Sequence, residues 1–191
     1  MKKALLLIGF LLWLTPNISS AQDVMESDDV IVKPNEIKVD LLTSILLKRP
    51  TVAYERILMP DLGVGANLGV GLGEGDEFGS DAKFHSSVFA RWYFGGSSRS
   101  QNRAGAGFFM GANTALSVIN GTVSTQTDNG VSISKANQTA WGLGLELGWK
   151  YVTRNNWVGE SGFRLGRYLA VPANSSETVY GTYFITIGKR F

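Results

Sequence analysis

The sequence contains no cysteine, which excludes a disulfide framework, a thiolate metal site and the acylated cysteine of a lipoprotein. Beyond its first fourteen positions it has no long apolar run, so no membrane-spanning helix is expected there. A surplus of one charge sign is missing too. Lys2 and Lys3, the apolar segment Ala4 to Leu14 and the small residues Ser19 and Ala21 have the order of a secretory signal peptide, residues 1–21. Cleavage after Ala21 leaves 191 − 21 = 170 residues, with 18 − 2 = 16 basic against 16 acidic side chains. That balance provides no basic field for nucleic acid, which is excluded as a partner. Leucines are few outside alternating runs and 23 − 1 = 22 glycines remain after cleavage, a composition that argues against a packed helical core.

What is present is a period of two. In the stretch Trp141–Tyr151, Trp141, Leu143, Leu145, Leu147, Trp149 and Tyr151 alternate with Gly142, Gly144, Glu146, Gly148 and Lys150. Successive side chains of a β-strand point to opposite faces, so one face is apolar and aromatic-ended and the other small and charged. A soluble sandwich would set its apolar face against polar side chains in water. Three glycines, a glutamate and a lysine instead suit a crowded polar interior, with lipid on the apolar face and Trp and Tyr at the ends of the span. From Trp141 to Trp149 the rise is roughly 26 Å, about 20 Å along the normal once tilted, close to the apolar band of an outer-membrane barrel.

Eight alternating segments follow a flexible periplasmic N-terminal segment, residues 22–35: Glu36–Leu46, Thr51–Leu58, Leu62–Leu72, Asp81–Phe94, Ala104–Asn120, the stretch above, Trp157–Leu169 and Thr178–Phe191. With both ends in the periplasm, the inner turns are 59–61, 95–103 and 154–156, and the outer loops are 47–50, 73–80, 121–137 and 170–177. Short inner turns and longer outer loops are the transmembrane-barrel pattern; 47–50 is short for an outer loop. The lipid-interface aromatics agree. Trp92, Phe94, Phe108, Trp149, Tyr151, Trp157 and Phe191 fall at the inner ends of their strands, with Trp141 at the opposite end. The expected fold is all-β, an eight-stranded antiparallel up-and-down transmembrane β-barrel over residues 36–191.

Those strands, the signal peptide and a carboxy-terminal Phe191 preceded by Ile187, Ile185 and Tyr183 resemble the small outer-membrane barrels of Gram-negative bacteria, typified by the transmembrane domain of outer membrane protein A. The starts Lys38-Val-Asp-Leu-Leu42 and Tyr54-Glu55-Arg56 are similar to those of uncharacterised secreted barrels of this kind, while Lys189 departs from the terminal pattern. The resemblance implies a monomer in the outer membrane, in contact with its lipid, including lipopolysaccharide, and delivered there by the barrel-assembly machinery. No peptidoglycan-binding domain follows.

The inward faces hold the candidate residues. A three-residue loop Arg154-Asn155-Asn156 sets Lys150 opposite Glu160 and Glu146 opposite Arg164. With Lys38, Asp40, Glu55, Lys83, Arg91 and Arg190 on the same side, a salt-bridge network is expected to fill the narrow lumen. His85-Ser86-Ser87 resembles the His-x-Ser of outer-membrane lipid A deacylases, but it faces the lumen and no acid occurs between Asp81 and Asp128 to orient the histidine. Gly63-x-Gly65 and Gly142-x-Gly144 precede no helix and are small inward residues rather than dinucleotide loops. Glu74, Asp76, Glu77 and Asp81 lack the spacing of a calcium loop. Neither a metal, a cofactor nor a catalytic residue is called. Lys48, Arg49 and Arg167 lie near the outer rim, where lipopolysaccharide phosphates would sit. The Asn-x-Ser/Thr triplets at Asn120, Asn137 and Asn174 carry no weight in a bacterium.

The expected role is non-enzymatic: stabilising the envelope, or presenting the external loop 121–137. The alternatives are a narrow pore or passive transporter for ions or small apolar solutes, a deacylase-like enzyme, and a soluble lipocalin-like carrier with its leucines turned inward.

Overall fold

In the computed structural model, which describes residues 33–72, 82–94, 103–127, 130–170 and 178–191, the chain is a closed barrel of eight strands. The strands are β1 (Asn35–Asp40), β2 (Thr51–Met59), β3 (Leu62–Val70), β4 (Ala82–Tyr93), β5 (Gly107–Thr127), β6 (Gly130–Val152), β7 (Trp157–Ala170) and β8 (Val179–Arg190). One helix, α1 (Leu41–Leu46), interrupts them. Each strand pairs antiparallel with its sequence neighbour, and β8 closes on β1. The signal peptide, most of segment 22–35, the acidic loop 73–80 with Asp81, and most of the connections 95–103 and 170–177 lie outside the described residues.

The register fixes the width. A row of paired residues runs from Asn35 through Arg56, Val64, Ala90, Ala112, Leu145, Leu165 and Gly181, and the β1–β8 register then returns it to position 45, a displacement of 45 − 35 = 10 residues. Eight strands with that shear tilt by about 43° and put the backbone about 8 Å from the axis. Two opposed side chains fill such a bore.

The faces are inverted relative to a soluble protein. Leu145, Val88 and Leu165 are exposed on the outside, whereas Lys38, Glu55, Glu146 and Lys150 are buried within. Trp92, Phe94, Phe108, Trp149, Tyr151, Trp157 and Phe191 are exposed near the end where β1 starts and β8 finishes, and Trp141 is exposed at the far end, its Nε1 donating to Thr114 Oγ1 at 2.8 Å. The leucines of β6 therefore line no internal cavity, as a lipocalin-like carrier would require.

Two segments depart from the expected layout. Residues 41–46, read as the continuation of the first strand, form α1: the Asp40 carboxylate accepts from the backbone N–H of Leu42 and Thr43, an N-cap that outweighs the alternating pattern. Lys48 closes the helix with a left-handed φ of 44°, and Arg49 N donates to Thr43 O at 3.1 Å. The connection between β1 and β2 is thus residues 41–50, which removes the anomaly of a four-residue outer loop. Residues 121–137, read as an external loop, instead continue β5 and β6 as a paired ribbon through Thr127↔Gly130. The ribbon runs past the last pairs with β4, at Ile119, and with β7, at Trp141.

Candidate functional site

The lumen is filled in three layers. At the end bearing the start of β1, Ile57, Tyr93, Phe109 and Phe184 pack as one buried cluster and Ala106, Val152 and Val158 as another, forming an apolar floor. Above it lies an ionic mesh.

The mesh contains four carboxylates and five bases. β6 and β7 pair with Glu146 opposite Arg164 and Lys150 opposite Glu160, joined through 154–156, where Thr153 N donates to Trp157 O and Asn156 takes a φ of 62°. Lys38 Nζ lies 2.5 Å from Glu55, 2.6 Å from Glu160 and 3.4 Å from Glu36. Lys150 Nζ reaches the same three carboxylates at 2.8, 3.2 and 2.9 Å. Arg91 spans the bore, its Nε on Glu146 at 2.5 Å and its Nη1 on Glu55 and Glu160. Its guanidinium lies 4.1 Å above the Phe89 ring and 4.5 Å above Phe109. Arg164 Nη2 meets Glu146 at 2.9 Å, and the Asn67 amide, turned with its oxygen inward, accepts from both Arg164 terminal nitrogens at 3.1 Å. Arg190 joins Glu36 to the carbonyl of Ala104. Tyr93 donates its hydroxyl proton to Glu55, and Thr186 donates to Glu160. Each carboxylate touches at least two cationic side chains, and the groups come from β1, β2, β4, β6, β7 and β8.

Sequence reasoning left Glu36 out of this mesh, although counting by twos from Ile37 puts it inside. Two candidates lie elsewhere. Lys83 is exposed, not in the lumen network: it sits in the register irregularity between Ala82 and Phe84 at the far rim, where inward parity no longer means burial. Asp40 is buried but is committed to capping α1. Arg49, expected at the outer surface, is buried, because residues 48–50 run on along β3 and Arg49 keeps the inward parity of Thr51.

The uppermost layer is mostly uncharged, with the buried Arg49 beside Gly69 as its cationic member. His85 Nδ1 sits 2.8 Å from Ser117 Oγ, which also accepts from Tyr168 at 3.0 Å; Ser117 can then donate its O–H to Nδ1 of an imidazole that carries its hydrogen on Nε2. Tyr180 donates to Asn113 Oδ1 at 2.7 Å and packs tilted against Tyr168, ring centres 5.0 Å apart. Glycine makes room for rings at every level of the lumen. A Cβ on Gly144 would lie 2.5 Å from the Tyr180 hydroxyl, one on Gly65 2.5 Å from Phe89, and one on Gly148 2.8 Å from Phe109. The aromatic share of the filling went unread in the sequence, though parity places Phe89, Phe109, Tyr168, Tyr180 and Phe184 inside.

Chemically, this interior holds charge in place. The carboxylates of Glu36, Glu55 and Glu160 have oxygens within 4.8 Å of one another, a metal-like spacing, but two ammonium groups lie among them and would repel a cation. Ser87, two residues from His85, is buried with no hydrogen-bond partner for its Oγ, and among the described residues no carboxylate bonds His85. The nucleophile–base–acid relay that a deacylase needs is not assembled there.

No protein-family model matches the sequence, and no curated protein matches it. Among solved structures, the N-terminal β-barrel domain of Pseudomonas aeruginosa OprF is similar with a TM-score of 0.45 and 14% identity, over 83% of this chain and 98% of that one. Neisserial surface protein A is similar with a TM-score of 0.42 and 14% identity, over 82% of this chain and 94% of its own.

Proposed function

We propose that this protein is an integral outer-membrane barrel with a structural or surface-interaction role and no conduit through its centre. The observation that carries the reading is the mesh of Glu36, Glu55, Glu146 and Glu160 with Lys38, Arg91, Lys150, Arg164 and Arg190, stacked on an apolar floor inside a bore of about 8 Å backbone radius. An ion would have to separate several buried pairs at once, each separation leaving an uncompensated charge. The exposed apolar belt and its aromatic ends support residence in a bilayer, reached after signal removal and insertion by the barrel-assembly machinery. Exposed Arg167 and Lys48 at the far rim suit the phosphates of lipopolysaccharide. The β5–β6 ribbon, projecting past its neighbours, suits contact with a surface partner.

The test is ion flux. Protein refolded into planar bilayers or dye-loaded vesicles is expected to give no conductance or leakage above the lipid background. Steady conductance by the wild-type chain, lost on changing Glu146 or Arg164, would replace this reading with the pore.

A further inference from the structure

Two strands outgrow the barrel. β4 makes its last pair with β5 at Ile119 and β7 its last pair with β6 at Trp141, yet β5 and β6 stay paired with each other through Thr127↔Gly130. The ribbon therefore rises about 20 Å further along the axis, at the end away from the start of β1 and the finish of β8.

Its hydrogen-bonding directions follow from the ladders below. Phe94 N donates to Phe108 O at 2.8 Å, so even-numbered residues of β5 turn their N–H and C=O toward β4 and odd-numbered ones toward β6. Thr153 N donates to Trp157 O at 2.8 Å, which in the same way directs odd-numbered residues of β6 away from β5. Above Ile119, Asn120, Thr122, Ser124 and Gln126 thus present main-chain donors and acceptors along an edge with which no strand among the described residues pairs. Such an edge is a template for another strand, and a two-stranded ribbon in water gains stability from one. The two edges are not alike. From Asn120 to Thr127 the sequence has neither a charge nor a proline, the usual means of blunting an exposed edge, whereas the projecting part of β6 contains Lys135. From Asn120 to Ala140 the charged residues are Asp128 and Lys135, which cancel, so two copies of the ribbon do not repel.

The symmetry of strand pairing selects the partner. An edge meets its own copy in an antiparallel ladder about a two-fold axis perpendicular to the ribbon, and that axis lies in the membrane plane. The second copy therefore points the opposite way, out of a facing membrane. Within one membrane, a two-fold axis along the normal leaves both β5 strands running outward and sets N–H against N–H. Joining β5 of one copy to β6 of a neighbour in one continuous sheet would space the ribbons about 10 Å apart, closer than the roughly 16 Å backbone width of the barrels beneath them. The antiparallel register that uses all four edge residues pairs Asn120 with Gln126 and Thr122 with Ser124, about an axis at Val123.

We propose that the projecting edge of β5 is a homotypic contact between facing membranes, two ribbons joining as a four-stranded sheet in the order β6, β5, β5, β6. The proposal rests on the membrane reading above and names the ribbon's partner, a second copy of this chain. One such contact is small, and its strength comes from many copies meeting across the same two surfaces.

The test uses the mature chain reconstituted from detergent into phosphatidylcholine vesicles. Outward-facing ribbons are counted with an impermeant maleimide on Asn129→Cys, a clean label in a chain without cysteine. Two vesicle populations carrying different dyes are mixed and two-colour clusters counted. Vesicles bearing the wild-type chain are expected to cluster with one another and not with protein-free vesicles. Ser124→Pro removes a donor directed only to the β5 edge and should cut clustering about tenfold, whereas Asn137→Pro, the equivalent change on the β6 edge, should leave it unchanged. Oxidation of clustered Val123→Cys vesicles should give a disulfide-linked dimer, and Thr127→Cys, opposite Ile119 in this register, should give none. Absence of clustering with outward ribbons present, equal clustering with protein-free vesicles, an equal loss in the two proline variants or no Val123→Cys dimer overturns the contact and leaves the membrane reading standing. A chain that never enters the vesicles overturns the membrane reading itself.

Discussion

The two halves of the lumen are filled by different physics. Near the end where β1 starts, four carboxylates and five bases share hydrogen bonds so widely that most groups have two or three partners. Toward the far end, the Tyr180 ring lies over Gly144 and Gly166, and the Tyr168 and Tyr180 hydroxyls donate to Ser117 and Asn113. Buried charge tolerates no loss of a partner. Close-packed rings tolerate no gain of volume. A closed barrel of this width thus achieves a full interior by two routes, and the two should fail in opposite ways.

The largest expected effect comes from removing a shared carboxylate. Glu55→Ala takes one of three carboxylates from each of Lys38, Lys150 and Arg91, leaving five buried bases to share three acids, and should lower the unfolding free energy by about 3–5 kcal/mol in urea titrations in detergent micelles. The comparison sharpens if Lys38→Met is added, since taking out both members should recover part of that loss. Next comes Glu146→Ala, expected to lose about 2 kcal/mol in the same assay, because Arg164 keeps Asn67 and Arg91 keeps Glu55 and Glu160. An unchanged urea midpoint for this variant would remove the β6–β7 pairing as a stabilising contact. In the aromatic half, Gly166→Ala adds one methyl against the Tyr180 ring alone and should destabilise by about 1–3 kcal/mol, and Tyr180→Leu in the same chain should relieve it. The smallest effect is Asp40→Ala, about 1 kcal/mol for a lost N-cap, with hydrogen exchange speeding up in Leu42 and Thr43 before it does in β6.

Much of this was legible from periodicity. A residue's parity along a strand decides its face, so the exposed leucines of β6 and the buried Glu146 and Lys150 follow from counting by twos. Parity also placed Glu36 and the inner aromatic rings, had it been applied to every residue rather than to charges alone. It failed where strands end. Lys83 lies in a bulge, and Leu41–Leu46 alternates like a strand yet folds as a helix, because Asp40 offers its carboxylate to the next two amides and Lys48 can adopt a left-handed backbone. The β5–β6 ribbon escaped because its polar sequence carries no apolar face to count, while backbone pairing needs none.

By itself the sequence determined that this chain alternates apolar and small-or-charged residues over eight segments, and so which faces seek lipid and which seek each other. Only the tertiary structure decided the ten-residue shear, which sets the radius and thereby brings Glu36 of β1, Glu55 of β2 and Glu160 of β7 around the same two lysines. It decided, too, that β1 stops halfway and a helix completes the wall. The reason is that alternation is a property of one strand, while shear, closure and the meeting of distant charges belong to the sheet as a whole.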